Sequence, residues 1–243
     1  MTTRDLIRIP GTYNFRDAGG YSADSGLLRR GKLFRSDGLH ALDDEGRRML
    51  AELGVALVID LRDEQESAAM PDALDGLAVR RIQLPVFEGG GSGVAAGGLD
   101  GLYTRILTDH VSVVVEALRA IAASGEDAVV VHCTAGKDRT GVVVALTQLA
   151  VGVDRRSVVE DYAATEANLA GEWLEAMIAM IGRYGVPDSP QLRVLMGGSP
   201  AEALESAIDV VEREHGSVRQ FLLASGLSLA ELAALEDALV ERD

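Results

Sequence analysis

The stretch AVVVHCTAGKDRTGVVVALTQLAVGV, residues 128 to 153, constrains this chain more than any other. Ala128 to Cys133 is an apolar run of strand length rich in β-branched residues, and Thr140 to Val153 is a longer, almost wholly apolar run. A continuous apolar strand belongs in a sheet covered on both faces, and a helix without a polar side belongs inside a core. The segment therefore reads as a buried strand, a short loop and a buried helix. His132 and Cys133 close the strand, and five residues separate the cysteine from Arg139.

The rest of the chain builds around that unit. GLLRRGKLFRSD (26 to 37) reads as an early hairpin or pair of short strands with Gly31 at the turn, and ALDDEGRRMLAELG (41 to 54) as a helix with acidic residues in its first turn. VALVIDLR (55 to 62) is a second buried strand and VRRIQLPV (79 to 86) a further one. The glycines of EGGGSGVAAGG (88 to 98) predict a mobile connection, and residues 99 to 124 read as helical with a break near 108 to 112. After Val153 the pattern is helical throughout: 155 to 169, 171 to 184, 201 to 215, 217 to 224 and 228 to 240, punctuated by GVPDSP and GGSP. Strands alternating with helices predict an α/β fold, with a central twisted, mostly parallel sheet flanked by helices and an added helical C-terminal layer or lid. Residues 1 to 243 are expected to form one domain, with 155 to 195 as a possible helical lid within it.

Composition narrows the partners. The chain has 38 acidic against 23 basic residues, and a net charge of -15 repels nucleic acid and anionic membranes alike. No stretch reaches the ~18 to 20 apolar residues of a membrane span; Val142 to Val153 is interrupted by Thr147 and Gln148. Stable membrane insertion is not expected, and the N-terminal stretch has no apolar core of signal-peptide type. The single cysteine excludes an intramolecular disulfide or thiol relay and suits a reducing cytoplasm, although export without a signal would leave no trace.

A strand that runs through a short loop into a helix aims backbone amides and the positive end of the helix dipole at one point, a natural anion site. A thiol placed there, near Arg139 and a protonated His132, is expected to be a thiolate and hence a nucleophile. Arg139 adds a planar fork matched to two phosphate oxygens. Thr134, Ala135, Gly136, Lys137 and Thr140 complete the expected cradle. In-line attack by Cys133 on a phosphate monoester would give a phosphocysteine, with Asp138 protonating the leaving oxygen and later activating water.

HCTAGKDRTG resembles the Cys-x5-Arg signature loop of the protein tyrosine phosphatase superfamily. More narrowly it is similar to the bacterial branch of the mycobacterial protein tyrosine phosphatase B type, whose loop reads Cys-x-x-Gly-Lys-Asp-Arg-Thr-Gly and which also carries an Asn-Phe-Arg-Asp-x-Gly-Gly stretch. Here that stretch is NFRDAGG, Asn14 to Gly20. The likeness continues through GKLFRSD (31 to 37), VIDLRDEQE (58 to 66) and GSVRQFLLASGLSLAELAAL (216 to 235), so it covers nearly the whole chain. It implies a tyrosine-phosphatase-like fold, no metal and no organic cofactor, with Cys133 as nucleophile, Arg139 as phosphate binder and Asp138 as acid and base. Substrates in that branch include phosphotyrosine, other phosphoamino acids and phosphoinositides. The Trp-Pro-Asp acid loop of eukaryotic relatives has no match, since Trp173 is followed by Leu174 and Glu175.

Several residues admit a plainer role. His132 can hold the loop through a backbone bond, Thr140 can be a helix cap or a donor to the thiolate, and Lys137 can be a solvated charge or a ligand for a second anionic group. Asn14, Arg16 and Asp17 are expected to support the site, and Asp60 and Arg62 to pair at the end of a buried strand, with Asp60 or Asp63 as reserve acids. Gly136 and Gly141 fit tight loop geometry and close helix packing. Met177, Ile178, Met180 and Ile181 read as core in preference to a lid. A phosphate-recognition module without turnover is the competing function, and a phosphoinositide phosphatase the competing substrate class, ranked behind phosphoproteins. A nucleotide-binding loop is disfavoured because Asp138 and Arg139 separate the lysine from Thr140. The oligomeric state has no signature in the sequence.

Overall fold

The computed structural model describes residues 6 to 87 and 98 to 242. The expected mobile connection at 88 to 98 thus lies almost entirely outside the described residues. In chain order the elements are β1 (Arg16–Asp17), β2 (Ser22–Ala23), β3 (Gly26–Leu28), β4 (Leu33–Ser36), α1 (Asp44–Glu52), β5 (Val55–Asp60), α2 (Glu64–Ala69) and β6 (Arg80–Gln83). Then come α3 (Gly98–Thr108), α4 (Val111–Ala122), β7 (Ala128–His132), α5 (Asp138–Ala150), α6 (Arg155–Leu169), α7 (Glu172–Gly182), α8 (Pro190–Gly197), α9 (Ala201–His215), α10 (Val218–Ala224), α11 (Leu229–Leu239) and β8 (Val240–Arg242).

The main sheet has the order β1-β4-β7-β5-β6. Strands β4, β7, β5 and β6 run parallel and β1 pairs antiparallel with β4, which is the mostly parallel α/β sheet read from the sequence. Alternation along the strands sorts side chains to two cores. Leu57, Ile59, Val129 and Val131 join the larger core with α3, α4 and α5, while Phe34, Val58 and Val130 join a smaller one with Ile9 and Leu50. Covering both faces is what demands near-continuous apolar strands. Among the described residues, no helix is long and apolar enough to cross a membrane.

Of the two forms expected for residues 26 to 37, the pair of short strands is the one present: β3 pairs with β2 and with β8, whereas β4 enters the main sheet beside β7, so the two are not a hairpin. Gly31, at φ +70°, does supply the turn between them. Strands do not vanish after Val153 either, because β8 returns to pair with β3. Its partner is some 200 residues away in sequence, so no local pattern marks it. Helices α2 and α8 were not anticipated; α2 begins with a capping box in which Asp63 accepts from Glu66 N and the Glu66 side chain accepts from Asp63 N.

Helix α5 is buried from Arg139 through Gln148, and its one amide side chain finds a partner in the Ala18 carbonyl, 2.9 Å from Gln148 Nε2. Gly141 lies against Tyr162: a Cβ there would fall 2.9 Å from the Tyr162 ring, which is fully buried and cannot retreat. Gly141→Ala gains about 1 kcal/mol of helix propensity and loses about 1–3 kcal/mol to overpacking. A net loss of about 1 kcal/mol in urea denaturation is expected; a variant more stable than the parent would contradict this account of the glycine.

Candidate active site

Parallel strands deliver their carboxyl ends to one edge of the sheet, where α/β folds place ligands. Here the segment after β4 supplies Asp37 and Gly38, that after β7 supplies the loop from Cys133 to Arg139, and that after β5 supplies α2 with Glu66. The loop's carbonyls are bound from outside. Gly38 N donates to Thr134 O (3.1 Å), Asn14 Nδ2 to Ala135 O and Gly136 O (both 3.1 Å), and Arg35 Nη2 to Gly136 O (2.9 Å). Gly136 stands at φ +64°, and a Cβ there would meet Ser36 O at 2.2 Å. With the carbonyls so occupied, the backbone amides of residues 134 to 139 have no acceptor among the described residues. These amides and the start of α5 form the anion cradle read from the sequence.

The donors are themselves held by a buried charge cluster. Asp161 of α6 pairs with Arg35 (2.7 Å) and Arg16 (3.2 Å), all three fully buried, and Arg16 also donates to Thr165 and to the Asn14 side chain. Burial disfavours the Asp161 carboxylate, but Arg16 and Arg35 outweigh it and hold the group below the ordinary carboxylate range. Burial and the neighbouring Arg35 bring Arg16 down to about 10, still cationic at neutral pH. The expected supporting residues thus separate. Asn14 touches the loop, Arg16 acts one step behind it, and Asp17 accepts from Gly19 N and Gly31 N (both 2.8 Å), shaping the turn before β4. Asp37, which accepts from Tyr13 N and Asn14 N, is pushed up to about 6 by burial.

Cys133 is 2% exposed at the floor of a cleft of about 390 Å³ that Thr134, Ala135, Asp138 and Arg139 also line. The Arg139 fork is gripped by Glu66, with Nη1–Oε2 at 2.6 Å and Nη2–Oε1 at 2.8 Å, and Thr134 Oγ1 donates to the same carboxylate at 2.8 Å. Burial works against the Arg139 cation, but Cys133 and Glu66 more than offset it and hold the guanidinium above its ordinary value. Glu66 is correspondingly held low: burial raises it and the bonds from Arg139 overcome that.

Asp138 opens α5 and accepts a hydrogen bond from Tyr103 Oη at 2.9 Å, with Lys137 Nζ in an ion pair 2.9 Å away, both at Oδ1. Lys137 is not a solvated charge: it is 1% exposed and also donates to Gly198 O at 2.9 Å. Nor does Thr140 cap the helix, because Lys137 occupies the cap position; the Thr140 hydroxyl is buried with no partner among the described residues. His132 Nδ1 lies 3.3 Å from Cys133 O, and Nε2 lies 3.3 Å from Asp72. Asp60 binds Arg62, Arg81 and Ser67. Burial notwithstanding, those bonds keep Asp60 well below the usual range, so it is poorly suited to serve as an acid. Asp63 is the cap of α2. Asp60, Asp72 and His132 do approach metal-ligand spacing, but Arg62 and Arg81 already neutralise both carboxylates.

Apolar side chains make up most of the rest of the cleft's lining: Trp173, Met177, Met180 and Ile181 of α7, Leu195 and Met196 of α8, and Phe87 and Leu102. Of the four residues read as core, only Ile178 is buried; Met177, Met180 and Ile181 line the approach. Two functional neighbours escaped sequence reasoning. Glu66 sits three residues after the Asp63 cap, a detectable pattern that nonetheless says nothing about Arg139. Tyr103 belongs to a helix with no signature of its own.

Replacing Asp161 by Asn leaves Arg16 and Arg35 buried without their counter-ion. A loss of about 3–5 kcal/mol is expected, read as a shift of the urea midpoint at neutral pH. Because the Asp161 pKa is depressed, its contribution is present above the ordinary carboxylate range and fades as pH falls through the folded value. The gap between parent and variant should therefore narrow in acid, and a gap under about 1 kcal/mol at pH 7 would show that the cluster does not hold the fold.

The chain is similar to known proteins over its whole length. The family model described as the tyrosine phosphatase family matches residues 7 to 241. The triple specificity protein phosphatase PtpB of Mycobacterium tuberculosis is 31% identical over 99% of this chain and 100% of its own length. A tyrosine-protein phosphatase of Nostoc commune is 36% identical over 57% of this chain and 49% of its own. The crystal structure of P. aeruginosa TpbA covers 62% of this chain and 87% of that one at 22% identity, with a TM-score of 0.38. With five residues between a cysteine and an arginine around an amide-lined loop, and a family match from residue 7 to 241, the chain belongs to the tyrosine phosphatase family and is a phosphoric monoester hydrolase.

Proposed function

We propose that Cys133 attacks the phosphorus of a phosphate monoester in line with the leaving oxygen, forming a phosphocysteine. The carrying observation is the convergence on Cys133 of an amide-lined loop, the Arg139 fork and Asp138 in one cleft. The amides of Thr134, Ala135, Gly136 and Lys137, with Arg139, bind the equatorial oxygens, where charge grows in the transition state. Glu66 and Thr134 fix Nη1 and Nη2 of the Arg139 fork and leave Nε–H and a second Nη1–H for the substrate. The unpartnered hydroxyl of Thr140 is available to the sulfur when it leaves. Asp138 gives its proton to the departing oxygen, then takes one from the water that attacks the phosphocysteine; Cys133 departs as thiolate and phosphate is released.

The apolar side chains that line the cleft with Cys133 suit an aromatic phosphate, which supports phosphotyrosine as the preferred substrate; α7 and α8 form the lid of the single phosphatase domain, and this lid ends at Gly197, two residues beyond the expected 155 to 195. The name of the Mycobacterium tuberculosis relative, a triple specificity phosphatase, supports phosphoserine and phosphothreonine as further substrates. Phosphoinositides rank lower because Lys137, the lysine of the loop, is turned to Asp138 and Gly198. The lone cysteine suits the reducing cytoplasm, with signal-less export as the alternative location.

Hydrolysis of para-nitrophenyl phosphate in excess chelator tests the reading. Cys133→Ser is expected to lose at least about a thousandfold in kcat, and Asp138→Asn about a hundredfold or more. Phosphotyrosine peptides are expected to exceed phosphoserine peptides and phosphoinositides in kcat/KM. A chain that binds phosphate but turns over no ester would instead be a recognition module, and a metal requirement would sink the cysteine mechanism.

A further inference from the structure

The carboxylate of Asp138 is not symmetric in its surroundings. Oδ1 accepts a hydrogen bond from Tyr103 Oη at 2.9 Å and lies 2.9 Å from the Lys137 ammonium, whereas Oδ2 has no hydrogen-bond donor among the described residues. Asp138 lines the same cleft as Cys133. Tyr103 is fully buried on α3, and behind it stands Tyr162 of α6, whose hydroxyl is hydrogen-bonded to that of Tyr103 with the rings edge to face at 6.1 Å. A phenol has one proton to give. When Tyr103 spends it on the carboxylate, the bond between the phenols must be donated by Tyr162, so the chain runs in one direction, Tyr162 to Tyr103 to Asp138.

Resting on the acid and base role proposed for Asp138, we infer that Tyr103 is a positioning residue that, with Tyr162 behind it, pins Oδ1 of Asp138 and leaves Oδ2 as the oxygen that exchanges the proton. On the first step the Oδ2–H bond breaks and the proton goes to the leaving oxygen. On the second, Oδ2 takes a proton from water as the water oxygen bonds to phosphorus and the S–P bond breaks. Tyr103 gives up no proton in either step. Its burial, and next the charge of Asp138, raise its pKa well above 10, so it stays a neutral donor through the working range. Gly141 belongs to the same device, since any side chain there would press on the Tyr162 ring.

A hydrogen bond to a carboxylate favours its charged state, so a donor at this carboxylate leaves its mark on the pH profile of the reaction. A residue that merely fills space would leave that profile alone, which gives the test its readout.

The test compares Tyr103→Phe, Tyr162→Phe and Asp138→Asn, each with kcat/KM profiles from pH 5 to 9 on para-nitrophenyl phosphate and on phenyl phosphate, a poorer leaving group. Tyr103→Phe is expected to move the limb on which activity falls with rising pH upward by about one unit, with KM little changed. Its kcat should fall about tenfold on phenyl phosphate and less on the nitrophenyl ester. Tyr162→Phe should shift the limb in the same direction by less, and it carries the test if Tyr103→Phe melts out of the working range. A limb unmoved in the folded variants, or equal losses on both esters, overturns the positioning role. Asp138→Asn separates the two readings. It should abolish the falling limb and steepen the dependence on the leaving group, with a larger loss on phenyl phosphate than on the nitrophenyl ester. If the limb survives, Asp138 itself is not the acid, and the proposal falls with it.

Discussion

The site depends on a backbone loop turned inside out. A run of free amides around the cysteine requires that the matching carbonyls be satisfied elsewhere, because buried backbone groups without partners are costly. Asn14, Arg35 and the amide of Gly38 meet that demand at Thr134, Ala135 and Gly136. Two of those donors are anchored by a cluster that becomes unfavourable without its one anion: Arg16 and Arg35 against the single carboxylate of Asp161. The anion cradle is therefore the far end of a chain of buried bonds that begins on α6.

Charge balance inside the cleft follows the same logic. Arg139 is buried and needs a counter-charge; Glu66 provides one from the start of α2, and Thr134 ties that carboxylate back to the loop. Asp138 is handled oppositely, with one oxygen secured and the other left unengaged. The carboxylate that must stay still is gripped through both oxygens, and the one assigned proton transfer through only one. Asp60, gripped by Arg62, Arg81 and Ser67, belongs with the former and holds the end of β5 beside His132.

How much of this the sequence carried depends on the range of the interaction. The segment from Ala128 to Val153 is local: strand, loop and buried helix each leave a pattern, and Cys133, Asp138 and Arg139 fall where that pattern aims them. The resemblance of NFRDAGG drew attention to Asn14 and Arg16, but not to their different tasks, since the loop lies about 120 residues away. The partner of β3 at the C-terminus, the grip of Glu66 on Arg139 and the reach of Tyr103 to Asp138 are decided by packing between distant segments. Met177, Met180 and Ile181 show the limit of periodicity, for an apolar helical face reads alike whether it meets a core or a cleft.

The central claim is that the lone thiol becomes covalently phosphorylated in each turnover. Mixing the parent enzyme with excess phosphotyrosine peptide, quenching during turnover and digesting should yield the peptide containing Cys133 heavier by one phosphoryl group. The Cys133→Ser chain should give no such turnover-linked species. A parent enzyme that hydrolyses the peptide while Cys133 stays unmodified at every quench time, and stays active after that thiol is removed, would contradict the account at its root.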